Sequence, residues 1–375
     1  MAVAVVSGAV ANKPGNAGAA WTRLSWALGL RRLGFDLLFV EELDAGDAWP
    51  EAADWFRRVT ELGGLAADAA LVERGSRRTV GLSYAEARER ADGAALLLNI
   101  SGHLRDPELL RSARRRVYVD LDPGYTQTWH AAGWDADHIA AHDLHVTVGE
   151  RIGQPSCRVP ADGIRWRPIR QPVCLEDWPV AAGDPGRLTT VASWRGPLGT
   201  IDVAGRPRGG KVHEFRRFVQ LARRVRQRCE VALDIHPADD RDRERLLEHG
   251  WRVVRPEDSV ASLQDFRRYV QGSGAEFSVA QGVYVASGCG WFSDRTVRYL
   301  ASGKPALVQD TGLAERYSRG DGLLTFSTLD EAVEGAARLA ADYERHARAA
   351  RAIAEEHFDS DRVLGELLEL DGIAP

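Results

Sequence analysis

Twice along this chain, short apolar runs alternate with segments of helical length, and a proline-rich stretch separates the two series. The first reads "VAVVS" (3–7), a helical pattern over 20–34, "FDLLFVEEL" (35–43), then "AALLLNI" (94–100), "RRVYVDLD" (115–122) and "HDLHVTVGE" (142–150). The second reads "RLTTVASW" (187–194), helix 212–228, "VALDI" (231–235), helix 240–249, "WRVV" (251–254), helix 260–271 and "AEFSVA" (275–280), ending in a helical tail over 328–370. Strands separated by helices predict β-α-β units and mostly parallel sheets. Between 151 and 187 lie six prolines and several glycines, which mark a hinge. A chain of 375 residues, 44% hydrophobic, is long for one core and suits two doubly wound halves. Ligands of such sheets sit at the carboxyl ends of the strands, so the expected site is a cleft between the halves.

Charge and targeting signals narrow the classes of partner. The formal charge is −5, from 49 basic and 54 acidic residues spread along the chain, which speaks against nucleic acid or an anionic membrane as partner. The apolar opening has no cationic leader and is broken by glycine and proline, so it reads as a first strand. No stretch approaches the roughly 18 apolar residues of a membrane span, and a cytoplasmic location is expected. Cys157, Cys174, Cys229 and Cys289 are far apart and read as buried thiols.

Several loops carry candidate chemistry. "SGCGWFSDRTVRYLASGKPALVQDTG" (287–312) places small residues between a strand and a helix. Gly288, Gly290 and Ser293 there would let a phosphate approach the helix N-terminus, with Arg295 one turn in; equally, Ser293 or Asp294 suits an ordinary N-cap. "WRGPLGTIDVAGRPRGGKVHEF" (194–215) ends in Lys211, one of only three lysines, but valine follows it, so this is no P-loop. "VYVDLDPGYTQTWH" (117–130) puts Asp120 and Asp122 at the end of a strand, as bases or hydroxyl acceptors, or simply as the start of a turn. His142 and His145 have no third metal ligand nearby, and no metal site is expected.

Taken together, Ala11-Asn12-Lys13-Pro14, the segment Asp120 to Gln127, His236-Pro237 and the segment Glu276 to Gly312 resemble bacterial glycosyltransferases of the GT-B fold, in a subgroup common in actinobacteria and natural-product clusters. That subgroup carries "SGWFSxR…YLASGxPxxxQDTG", from which this chain departs by a cysteine before Gly290. The resemblance implies two Rossmann-like domains facing across a cleft: residues 1–178 hold the acceptor, residues 179–355 hold a nucleotide-diphosphate sugar, and 356–375 form a helix returning to the first domain. It assigns the donor diphosphate to Gly290, Trp291, Phe292, Ser293, Arg295, Lys211, Trp194 and Arg195. The nucleoside falls to His236, Val254 and Arg255, and acceptor or sugar contacts to Asn12, Lys13, Asn16, Asp120 and Gln127. An inverting reaction needs a base from the first domain, with Asp122 the leading choice and His142 behind it, whereas a retaining one can proceed without a protein base; the residue patterns do not decide between them.

In related retaining enzymes a glutamate binds the ribose from the same helix; Arg298 stands at that register, so the role is not transferred. The implied reaction moves a sugar to a small-molecule acceptor with no cofactor beyond the donor. An NDP-sugar 2-epimerase of the same fold and a non-catalytic nucleotide-binding protein are the alternatives. Base, sugar, acceptor and oligomeric state depend on contacts that residue patterns do not specify.

Overall fold

The computed structural model describes residues 1–373 apart from 45, 161–162, 197, 204 and 318–319. The first sheet comprises β1 (Val3–Ser7), β2 (Asp36–Leu43), β3 (Ala69–Glu73), β4 (Thr79–Gly81), β5 (Leu96–Ile100), β6 (Arg116–Asp120), β7 (Leu144–Thr147) and β8 (Trp166–Pro168). Their order is β4-β3-β2-β1-β5-β6-β7-β8, parallel except at the β3–β4 edge.

After β9 (Arg187–Ser193) comes an antiparallel ribbon of β10 (Ile201–Val203) and β11 (Arg206–Arg208). The chain then runs through β12 (Arg228–Asp234), β13 (Arg252–Val254), β14 (Ala275–Ser278), β15 (Ala306–Gln309) and β16 (Leu323–Phe326). The second sheet is wholly parallel, ordered β13-β12-β9-β14-β15-β16. Both orders reverse direction beside their first strand, at β1/β5 and at β9/β14, which is the switch point where doubly wound sheets open a crevice.

Strands covered by helices on both faces are buried throughout, and the uninterrupted burial of β5 and β14 shows it. Two stretches of helical spacing are more broken than the pattern predicts. The span 212–228 holds only the turns Lys211–Phe215, Arg216–Phe218 and Leu221–Arg224 before β12 begins at Arg228. The tail is three helices, Leu329–Ala341, Tyr343–His357 and Ser360–Asp371, because Asp342 and Asp359 each accept a backbone N–H and start a new helix. The strands β3, β4 and β8 carry no strong sequence alternation and emerge only from pairing with their neighbours.

The helix Ser360–Asp371 lies against the helix Ala17–Arg32, where Arg32 pairs with Asp361 at 2.9 Å. Further contacts tie the two halves together. The Trp21 indole N–H donates to the Leu263 carbonyl at 3.0 Å, the Tyr125 hydroxyl to Gln281 at 2.9 Å, and Gly149 bridges to Trp291. Among the described residues no helix is long and apolar enough to cross a membrane.

Candidate active site

A cavity of about 680 Å³ opens where the carboxyl ends of both sheets meet. Residues after β1 and β6 form one wall; the ends of β9 and β12 and the segments after β13 and β14 form the other. A volume of this size lies in the range of small-ligand sites.

On the first wall, Glu41 fixes the entry loop. Its buried carboxylate accepts the backbone N–H groups of Val10, Ala11 and Asn12 at 2.8, 2.7 and 3.1 Å. Burial pushes this acid up to about 7, while those three donors and Arg23 act against the rise. The loop so held presents Lys13 and Asn16 to the cavity, and the Asn16 side chain caps the helix Ala17–Arg32 by accepting from Ala19. Asn12 takes part through its backbone and is not part of the lining.

Asp120 and Asp122 stand two residues apart and differ completely. Asp120 is buried and accepts four hydrogen bonds: from Thr126, Gln127 and Thr147 side chains at 2.7 Å each, and from the Asp122 backbone at 3.0 Å. Its lone pairs are committed, and Gln127 also holds the Gly124 N–H, so both residues brace the turn and neither reaches a ligand. Asp122 lines the cavity and accepts from the Tyr284 hydroxyl of the other half at 3.0 Å. Burial, then the nearby Asp120 charge, pushes it up to about 6, with Tyr284 and Arg23 pulling it back.

The structure removes His142 from consideration as a base. It is 5% exposed; its Nδ1–H donates to the His138 carbonyl at 3.1 Å and its Nε2 accepts from the Asn99 amide at 3.1 Å. The ring is held neutral, and burial lowers it to about 4. It packs edge-on against Tyr118 and His138, outside the cavity. Among the described residues no cluster of His, Cys, Asp and Glu is arranged to hold a metal ion.

The second wall corrects several donor assignments. Trp194 is 1% exposed; its indole N–H donates to Asp242, and its ring packs on Phe215 in the core. Arg195 is exposed and paired with Asp239, and His236 uses its Nδ1 to accept the Ala238 N–H; neither lines the cavity. Val254 packs against the core and Arg255 faces solvent beside Glu257, while Asp234, Pro256 and Glu257 take the lining positions a residue or two away. Phe292 stacks on Phe358 at 4.7 Å, away from the cleft.

At the helix Asp294–Ala301, the turn is more occupied than an empty anion cradle. Gly290 adopts φ +72°, and a side chain there would meet Arg151 at 2.9 Å, so glycine is required. Its N–H donates to the Thr311 carbonyl at 2.7 Å, and the Ser293 hydroxyl accepts the Arg295 N–H at 3.2 Å. Asp294, in the first turn, is among the cavity-lining residues, and its carboxylate accepts from Thr22 at 2.6 Å. Arg298 is fully buried and paired with that same Asp294 at 3.0 Å.

Arg295 does reach the cavity, but its guanidinium is shared among Glu276 at 2.5 Å, the Val191 carbonyl and Ser278, both at 2.8 Å. Lys211 begins its short helix close enough to Arg295, Glu276 and Asp294 to feel their charges; burial, then Arg295, lowers it to about 7. Trp291 lines the cavity and stacks on Tyr284 at 4.5 Å.

Residue patterns had not nominated Arg23, Tyr284, Asp294, Glu257 or Asp234. Arg23 lies inside a helix beyond the Ala11–Pro14 motif, and Tyr284 lies inside the Glu276–Gly312 segment without a role that residue type suggests, so the tertiary arrangement reveals both. Asp294 suits a helix cap and Asp234 falls within the run 231–235, positions that carry no ligand signal of their own.

No protein-family model matches the sequence, and no curated protein matches it. Solved structures are similar over the whole chain. HepE from Anabaena in complex with UDP-glucose is 12% identical with a TM-score of 0.62, covering 100% of both chains. AviGT4, a glycosyltransferase involved in avilamycin A biosynthesis, is 12% identical with a TM-score of 0.56, covering 99% of this chain and 97% of its own. A candidate UDP-N-acetylglucosamine 2-epimerase from Listeria monocytogenes is 13% identical with a TM-score of 0.51, covering 99% of this chain and 97% of its own. With two parallel sheets meeting at their switch points, the architecture of this chain is the GT-B fold.

Proposed function

We propose that this chain is a glycosyltransferase that moves a sugar from a nucleotide-diphosphate donor to a small-molecule acceptor of the natural-product type, in the cytoplasm and without a metal. The carrying observation is the placement of Asp122, after β6, and Arg295, after β14, on opposite walls of one cavity. The nucleoside lies against Val191–Ser193 and Pro256–Ala261, where the Asp234 and Glu257 carboxylates accept ribose hydroxyls. Arg295 and Lys211 face the diphosphate and stabilise the charge that grows on it as the anomeric C–O bond breaks. An anion there also favours the protonated form of Lys211, which burial otherwise discourages.

Asp122 takes the proton of the acceptor hydroxyl. An acid whose burial holds it near 6 is a stronger base than a free aspartate and is still ionised at neutral pH. The incoming hydroxyl approaches from the wall of Lys13 and Asn16, and Trp291 covers the reacting sugar.

The second reading, an NDP-sugar 2-epimerase, is favoured by the likeness to the Listeria protein. Incubating the full chain with UDP-glucose and a panel of other NDP-sugars, with and without acceptor extracts, separates the readings. Nucleoside diphosphate released only with acceptor supports transfer. A changed sugar without acceptor supports epimerisation, and saturable binding with neither marks a nucleotide-binding protein. If no nucleotide sugar binds, the proposal fails.

A further inference from the structure

Among the cations of the cleft, Arg23 stands apart. Arg23 is one of the cavity-lining residues, yet its guanidinium makes a single hydrogen bond, to the Ala19 carbonyl at 3.3 Å, and its buried Nε has no partner. No carboxylate of the described residues lies within ion-pair distance of it. The three acids whose charges it feels are engaged elsewhere: Asp294 with Thr22 and Arg298, Glu41 with three backbone N–H groups, and Asp122 with Tyr284.

The backbone makes room for this side chain. A Cβ at Gly8, just past β1, would stand 2.8 Å from the Arg23 Cγ, so the residue there must be glycine for the arginine stem to lie against the sheet. A partly buried guanidinium without a paired anion destabilises a fold, and its planar fork matches the two oxygens of a carboxylate or phosphate.

We propose that Arg23, assisted by Lys13, forms an oxyanion subsite on the N-terminal wall that receives a carboxylate or phosphate carried either by the transferred sugar or by the acceptor. This rests on the transferase reading above, and goes beyond it by giving the substrate a second anionic group besides the diphosphate. Arg23 shares the cavity with Asp122 and Arg295 and feels the charges of Asp294 and Asp122, so its uncommitted fork can serve an anionic group of the substrate other than the diphosphate assigned to Arg295. Lys13, exposed on the Glu41-held loop, closes the subsite from the solvent side.

Calorimetric titration of the full chain and of its Arg23→Gln variant tests this with four probes: inorganic phosphate, UDP, UDP-glucose and UDP-glucuronate. Phosphate is expected to bind the wild type and to weaken about tenfold or more in the variant, while UDP affinity stays within about twofold. The variant is also expected to melt no lower than wild type, since it loses an unpaired buried charge; an arginine with a merely structural role would lower the melting point. If wild type prefers UDP-glucuronate over UDP-glucose and the variant does not, the anion belongs to the sugar. If it shows no such preference but binds phosphate on top of UDP-glucose, the anion belongs to the acceptor. Unchanged phosphate and UDP-glucuronate affinities in the variant, or an equal loss for UDP itself, overturn the proposal. Absence of any UDP binding to wild type would sink the transferase reading, and the phosphate titration would still decide the role of Arg23.

Discussion

On the C-terminal wall of the cleft, Arg295 is held by Glu276, Val191 and Ser278, and Arg298 is paired with Asp294; on the N-terminal wall, Arg23 meets only one carbonyl. The carboxylates of the first half divide the same way, Asp120 holding four donors and Asp122 a single hydroxyl. A charged side chain is available to substrate only to the extent that the protein has not already satisfied it. Residue type and position beside a motif say nothing about that.

The largest effect should come from the available member of the carboxylate pair. Asp122→Asn is expected to lower acceptor-dependent release of nucleoside diphosphate by about 10²–10⁴-fold, with UDP affinity kept. Single-turnover rates together with titration of UDP measure both quantities. Full activity in the variant would mean that the sugar is transferred without this base, and would put Asp122 on the same footing as Asp120.

Breaking a satisfied pair should act on the fold instead. Glu276 is fully buried against Arg295, so Glu276→Ala leaves that guanidinium without its counter-ion, at a cost of about 3–5 kcal/mol in urea denaturation. The contrast with Arg23→Gln, expected to be neutral or stabilising, sharpens the comparison of the walls. Equal destabilisation by both variants would erase it.

The same distinction explains what was legible in the sequence. Parallel strands buried on both faces announce themselves as continuous apolar runs, so β1, β2, β5, β6, β9 and β14 could be read directly, and with them the two-sheet plan and its cleft. Short edge strands such as β4 and β8 depend on partners and left no signal. For the site, Lys13, Asn16, Asp122, Trp291 and Arg295 do line the cavity. Trp194, Phe292 and His142 fell short because a tryptophan, a phenylalanine or a histidine beside a glycine-rich loop is the same letter whether it faces a ligand or fills a core. Arg23 was invisible because helix spacing does not tell which arginine lacks a partner.

His142 offers a test on the satisfied side. Its Nε2 accepts from Asn99, so the folded state holds the ring neutral near 4, whereas an unfolded chain takes up the proton near 6.5. The folded value is the lower one, so wild-type stability falls as the pH drops from 6.5 towards 4. His142→Asn has no proton to bind there, and the stability gap between the two proteins should narrow by about 3 kcal/mol over that window. Urea midpoints at pH 7.5, 5.5 and 4.5 measure it. A gap independent of pH would mean that the ring takes up its proton in the fold as readily as in the unfolded chain, and is not held neutral by Asn99 and burial.

The smallest expected change concerns the one hydrogen bond that joins the available carboxylate to the opposite wall. Tyr284 donates to Asp122 at 3.0 Å, which favours the ionised acid and holds its value down against burial. Removing that hydroxyl in Tyr284→Phe forfeits about 0.5–1.5 kcal/mol of preference for the charged form, so Asp122 should titrate about 0.5–1 unit higher. The base acts deprotonated, so activity rises with pH through about 6 in the wild type, and in the variant the rising limb moves to higher pH while the plateau rate stays the same. The profile of kcat/KM against pH separates the outcomes. A limb that moves marks Asp122 as the group whose ionisation governs turnover, and a limb that stays would assign that ionisation to another residue and leave the contact between the walls a purely structural one.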